Sequence, residues 1–287
     1  MATPGSNTPG KKDRREEARE KARIEREAEK KRQRRNKIFL QGGIGAAVVA
    51  IVVVIVLIVV GNGATSGGGG SNKAPKNLAD GGILFTGSDG SLTATTTAAP
   101  KASTVDVAPK SADDTAGVAN IVTYIDWACP VCKNFEQAYA GDITDLVKSG
   151  KATLDVHPIS IVDRSYLSSR YASRAANAAM CVANFAPQKF LDAQTQFYDN
   201  QPAEGTNGLS NSQIKGLLKD AGVGTDAINT CVDKETYKNW VSTISQKTST
   251  DKALLASDGS FGTPTVFVNG KRWPNSGDFS AFVAANS

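Results

Sequence analysis

An α/β fold with a helical insertion, set behind a single membrane-spanning helix, is predicted by three observations. From about residue 121 the apolar pattern switches between a period of two and a period of 3.6. A stretch of about 90 residues, roughly 165–255, carries several helix signatures and no convincing strand. Nearer the N-terminus, the 23 residues from Ile38 to Val60 carry no charge and only Gln41 as a strongly polar side chain. The expected organisation is a charged tail (1–37), a membrane-spanning helix (38–60), a flexible linker (61–81) and one folded domain (82–287).

Residues 1–37 hold 14 Lys and Arg against 7 Asp and Glu, whereas the whole chain has a net charge of only +5. The basic character therefore belongs to the tail, whose residues 11–37 have a single bulky apolar residue, Ile24, and no face to bury. This excludes a nucleic-acid-binding function read from overall charge, because the part able to fold is slightly acidic. Lys30 to Lys37 form a polybasic run before the apolar segment, and no basic residue follows it before Lys73. The positive-inside bias puts the N-terminus in the cytoplasm and the folded domain outside it. A cleaved signal peptide is the rival, although its apolar region is ordinarily only about 7–15 residues long. Gly42, Ala46 and Ala50 recur every four residues, the spacing of a weak homodimer contact between membrane helices. The linker contains Gly67-Gly68-Gly69-Gly70-Ser71 and acts as a tether.

In the folded domain, Ile83-Leu84-Phe85 reads as a short first strand, and the Thr-, Ala- and Ser-rich stretch to about Gly117 has little to bury. Ile121 to Trp127 is a strand, Pro130 to Val147 a helix, and Ala152 to His157 another strand. Helices follow at Ala172–Phe185 and Lys189–Tyr198, and at a third opened by the capping box Ser210-x-x-Gln213. Thr225 caps a further helix running through Ile228, Val232, Tyr237 and Val241. Thr265–Val268 and Lys271–Trp273 flank Asn269-Gly270, a two-residue hairpin turn, and a last helix covers about 278–284.

The chemistry is concentrated in Cys129-Pro130-Val131-Cys132, delivered by a strand to a helix start. There Cys129 becomes the capping residue, its sulfur facing unpaired backbone N–H groups and the positive end of the helix dipole, which favours a thiolate. Pro130 suits the first helical position, where a missing N–H costs nothing. Cys132 lies one turn on and can close on Cys129, so Cys129 is the expected nucleophile and Cys132 the resolving thiol. The alternatives are an inert disulfide, which so short a loop would stabilise poorly, and half of a zinc site, for which no second close pair exists. Cys181 and Cys231 are expected to form a structural disulfide, with a redox shuttle as the alternative. His157, the one histidine, reads as a surface or packing residue. Neither a metal nor an organic cofactor is expected.

Tyr124 to Glu136 around the cysteines, together with Gly262-Thr263-Pro264-Thr265-Val266-Phe267-Val268-Asn269-Gly270, resemble the DsbA-like branch of the thioredoxin superfamily, most closely its membrane-anchored actinobacterial members. The resemblance covers about 82–287 and implies a thioredoxin-like fold with an inserted helical subdomain. It also implies that Pro264 is a cis-proline against the active-site sulfurs, with Thr263, Trp127, Pro130 and Val131 facing substrate; a trans proline in the hairpin loop is the alternative. Two departures stand out. Thr123 occupies the position of a buried carboxylate six residues before the first cysteine, and Val131 replaces the His common between the cysteines of strong oxidants. Asp126 is nearer, but on the opposite strand parity, and reads as structural or as a weak helper. The implied activity is protein thiol-disulfide exchange on secreted or cell-envelope proteins, oxidative in direction, with a membrane re-oxidase of VKOR or DsbB type as partner. A reductase or isomerase, and a non-catalytic binding or chaperone module, are the competing readings.

Overall fold

A computed structural model describes residues 73–109 and 118–287. The predicted charged tail and membrane-spanning segment, with its helix-pairing face, lie outside the described residues. Among the described residues no helix is long and apolar enough to cross a membrane.

The domain is a six-stranded mixed sheet with helices, ordered β2-β1-β4-β3-β5-β6. β1 (Ile83–Ser88) and β2 (Ser91–Ala94) form an antiparallel hairpin. Its turn is Asp89-Gly90, both with positive φ (52° and 79°), a pairing that asparagine-like and glycine residues tolerate. This corrects the expectation of one short strand followed by a stretch with little to bury: Ala94, Val105 and Val107 are all in the core. The edge strand Ser91-Leu92-Thr93-Ala94 is only four residues long, too short for an alternation by which to be recognised.

β3 (Ala119–Ile125) is central, parallel to β4 (Ala152–Pro158) and antiparallel to β5 (Thr265–Val268). Ile121 sits opposite both Leu154 and Val268, so its side chain is enclosed from either neighbour. The crossover from β3 to β4 is α1 (Pro130–Lys148), which packs on β1, β2 and β4. β5 turns through Asn269-Gly270, at φ 49° and 75°, into β6 (Lys271–Arg272), and α7 (Phe279–Asn286) closes the chain behind its cap Asp278. Phe135 and Tyr139 of α1 meet Trp273 and Phe279 in one aromatic cluster, with Phe135–Trp273 ring centroids 5.7 Å apart and Tyr139–Phe279 5.2 Å. That cluster fixes the active-site helix against the C-terminal segment.

Between β4 and β5 lies a lobe of five helices: α2 (Tyr171–Phe185), α3 (Phe190–Asp199), α4 (Asn211–Asp220), α5 (Asp226–Asp233) and α6 (Lys238–Thr250). The Ser210 and Gln213 side chains make the reciprocal capping box, and Thr225 caps α5. The single helix expected from Thr225 through Val241 is broken in two. Glu235 takes a left-handed φ of 43°, and the Thr236 N–H bonds back to the Cys231 carbonyl at 3.1 Å, which ends α5 in the usual left-handed manner. Apolar periodicity continues across this break, which is why spacing alone does not reveal it. A disulfide joins Cys181 of α2 to Cys231 of α5, with Cα atoms 5.9 Å apart.

Candidate active site

β3 ends at Ile125, and three residues of loop carry the chain to Cys129, the N-cap of α1, in extended backbone (φ −85°, ψ 122°) with Pro130 at the first helical position. Cys129 and Cys132 are free thiols, 5% and 1% exposed. The Thr263–Pro264 peptide is cis, and the Thr263 carbonyl accepts from the Cys129 sulfur at 3.4 Å. The cis-proline loop is thus brought against the first cysteine from a position 134 residues away. Two further bonds shape the loop: the Thr265 hydroxyl donates to the Gly262 carbonyl at 2.6 Å, and Asn275 Nδ2 to the Pro264 carbonyl at 3.0 Å.

The two sulfurs are electrostatically unequal. The Cys132 thiol, donating toward Cys129, holds the Cys129 pKa below that of an ordinary cysteine, against the opposing effects of burial and of Asp126. Cys132 is pushed well above the ordinary value, first by burial and then by its bond to Cys129 and the charge there. Negative charge is therefore favoured on Cys129 over Cys132. The Cys129 side chain makes no capping hydrogen bond to the helix. The expected support from helix N–H groups is reduced to a smaller contribution from the Cys132 backbone N–H, and the neighbouring thiol takes the larger part.

Asp126 is the main surprise. It follows the end of β3, so strand parity does not govern where its side chain points, and it is fully buried. Its carboxylate accepts from the backbone N–H groups of Ala128 (2.9 Å), Ile161 (2.8 Å) and Val162 (3.2 Å). Its own N–H points at the Cys132 sulfur at 3.5 Å, and its carbonyl accepts from the Cys129 N–H at 3.0 Å. Burial raises its pKa to about 6, although the three amides pull the other way.

The loop leading to Cys129 is held mainly from the helical lobe. Gln201 Nε2 donates to the carbonyls of Trp127 (3.0 Å) and Cys129 (3.1 Å), and the Tyr166 hydroxyl donates to that of Ala128 (2.7 Å). Trp127, expected at the substrate face, is instead 1% exposed. Its ring packs on Phe197 and Phe190, and its indole N–H reaches Gln194 Oε1 at 3.2 Å. Gln194 in turn donates to both Glu136 oxygens at 3.0 Å, and burial raises the Glu136 pKa. Pro130, Val131 and Thr263 are half-buried at the same end of α1 or on the cis-proline loop. Thr123 is buried in β3. His157 is buried too, stacked on Tyr124 with ring centroids 4.5 Å apart, its Nε2 3.2 Å from an Asp155 oxygen. The roles of Tyr166, Gln194, Gln201 and Glu136 escape sequence reading, because a lone polar side chain in a helix or loop announces no distant partner. Among the described residues no cluster of three or more metal-ligating side chains occurs.

A family model described as thioredoxin matches residues 114–285, more than half of the chain. The chain belongs to the thioredoxin family. No match is found among curated proteins. Among solved structures, this thioredoxin-family chain is similar to MdbA, a thiol-disulfide oxidoreductase from Corynebacterium matruchotii, at a TM-score of 0.52 and 15% identity, over 76% of this chain and 93% of that one. It is also similar to reduced DsbA of Mycobacterium tuberculosis (TM-score 0.48, 28% identity, 58% and 80% covered). A third is reduced DsbG of the same organism (TM-score 0.47, 30% identity, 58% and 76% covered). A thioredoxin-family chain with this dithiol at the helix mouth is a protein thiol-disulfide oxidoreductase.

Proposed function

We propose that this oxidoreductase is a DsbA-like oxidase that introduces disulfides into secreted and cell-envelope proteins, working outside the membrane to which residues 38–60 tether it. The observation that carries the proposal is the inequality of the two sulfurs: Cys129 is the one that meets the cis-proline loop and is the more acidic, whereas the more deeply buried Cys132 is pushed above an ordinary thiol. A substrate thiolate attacks Cys129 in the Cys129–Cys132 disulfide, forming a mixed disulfide and releasing Cys132 as a thiolate that takes up a proton. A second substrate thiol, losing its proton, attacks the substrate sulfur of the mixed disulfide and releases Cys129. The substrate gains a disulfide, and the enzyme holds the two electrons as a dithiol. A membrane re-oxidase of the quinone-linked VKOR or DsbB type then accepts them.

An extended substrate chain pairs beside Thr263, with Pro130 and Val131 on the other side of the sulfur. A reductase or isomerase is the second reading, favoured by Val131 in place of a His donor and by the buried Asp126 charge opposing the thiolate. Thiol-oxidative refolding and insulin reduction, each with wild type and Cys129→Ser, test the activity. Equal behaviour of the two proteins in both assays would end the enzyme reading. The direction is tested by the redox state of the pair in cells: a pair trapped mainly as disulfide is expected, and a mainly reduced pair favours the second reading.

A further inference from the structure

We propose that Asp126 is a positioning residue for thiol-disulfide exchange, whose buried charge beside both sulfurs sets how oxidising the Cys129–Cys132 couple is. The geometry carries this. One residue contacts the backbone or sulfur of each cysteine: its carbonyl accepts from the Cys129 N–H, and its N–H faces the Cys132 sulfur. Its carboxylate spans the site, tying the Ala128 amide, one residue before Cys129, to the Ile161 and Val162 amides on the loop after β4. Removing it would free two loops at once.

The electrostatic consequence follows from where the charge sits. An ionised carboxylate in a buried site repels negative charge on either sulfur, and both thiols feel that repulsion. The disulfide is neutral and does not. Asp126 therefore disfavours the reduced, thiolate form relative to the disulfide and draws the couple toward weaker oxidants; stabilising the reduced form is what makes a dithiol couple strongly oxidising. The other groups facing this carboxylate do not reverse the sign. Asp163, on the loop after β4, adds to the negative potential. Tyr166, Tyr171 and Tyr198, from the helical lobe and the loop leading into it, are held neutral by burial. The carboxylate six residues before the first cysteine is absent here, since Thr123 stands there, and Asp126 supplies a buried charge from the loop instead.

The test uses the full chain in detergent, with Asp126→Asn and Asp126→Ser. In Asn the new amide N–H groups would face the Ile161 and Val162 donors; Ser adds no second donor and its hydroxyl can still accept the Ala128 N–H, so it serves where Asn does not fold. Two quantities are read on folded protein: the pH dependence of thiolate absorbance at Cys129, and the equilibrium with glutathione. Loss of the charge is expected to lower the Cys129 pKa and to move the glutathione equilibrium about tenfold toward the dithiol, corresponding to about 30 mV. A merely structural role would change stability without moving either quantity in that direction. A shift under about twofold, or one toward the disulfide, overturns the proposal. The inference rests on Cys129–Cys132 being the exchanging pair, and the Cys129→Ser comparison tests that separately: exchange surviving there would remove the function, whatever the Asp126 variants do.

Discussion

The domain holds its four cysteines in two pairs that share the same atoms and little else. Cys181 and Cys231 are 50 residues apart, are buried at 0% and 3% exposure, and are bonded to each other between α2 and α5. Cys129 and Cys132 are three residues apart at a helix mouth, free, and unequal in acidity. A long loop closed by a covalent bond removes much entropy from the unfolded chain; a loop of four residues removes little. The distant pair therefore has leverage on folding, and the close pair has leverage on chemistry, because its sulfurs are placed where a charge can be favoured on one and denied to the other.

The sharpest way to break this division is to exchange the roles by mutation. Cys129→Ser should reduce insulin-reduction turnover to the uncatalysed rate while shifting thermal unfolding little. A variant with normal turnover would mean that another thiol carries the reaction. Cys132→Ala should leave mixed disulfides with client proteins trapped on Cys129, visible as adducts on non-reducing gels that collapse on reduction.

The double variant Cys181→Ser, Cys231→Ser should do the reverse. Loop-closure entropy for a separation of 50 residues predicts a loss of about 4 kcal/mol in unfolding free energy, with exchange activity per folded molecule retained. Denaturant titration checks the first part; if turnover falls in proportion to stability, the two pairs are coupled rather than divided.

A smaller effect is expected from pH. Asp126 is lifted from 3.8 to about 6 in the folded protein, so its ionisation is disfavoured there relative to the unfolded chain. The resulting cost is absent below about pH 4, accumulates as pH rises through that interval, and is complete above about pH 6, at about 3 kcal/mol. The unfolding free energy of wild type should therefore fall relative to Asp126→Asn by roughly that amount between pH 4 and pH 7. A difference between the two that stays constant with pH would show that the carboxylate does not titrate in this range.

Least in size is Gln201→Ala, which leaves the Trp127 and Cys129 carbonyls without their partner from the helical lobe and should cost about 1–2 kcal/mol. An unchanged denaturation midpoint would argue that water replaces both bonds.

What the sequence reveals, and what it hides, divides along the same line of local against distant. The helix starts at Ser210, Thr225 and Asp278 are legible because each cap and its amide lie within three residues. The Asn269-Gly270 hairpin is legible for the same reason. The site is legible where it is contiguous, at Cys129-Pro130-Val131-Cys132, and where a family motif stands in for distance, as at Thr263-Pro264. The contacts of Asp126 are hidden because they lie on amides 35 and 36 residues on, Ile161 and Val162. Trp127 is misread because the rings that cover it, Phe190 and Phe197, belong to a helix that no local pattern brings near. The Asp89-Gly90 hairpin is missed for a different reason, since its edge strand of four residues, Ser91–Ala94, is too short to show an apolar alternation.

The carbonyls of Trp127, Ala128 and Cys129, held by Tyr166 and Gln201, bear on any effort to transplant this chemistry. Copying Cys-Pro-Val-Cys and the cis-proline loop into a minimal scaffold would carry over the reacting atoms without the side chains that aim them. A graft keeping α3 together with the segment from Tyr166 to Gln201 would transfer a module, so the smallest portable unit of this redox centre is larger than its motif.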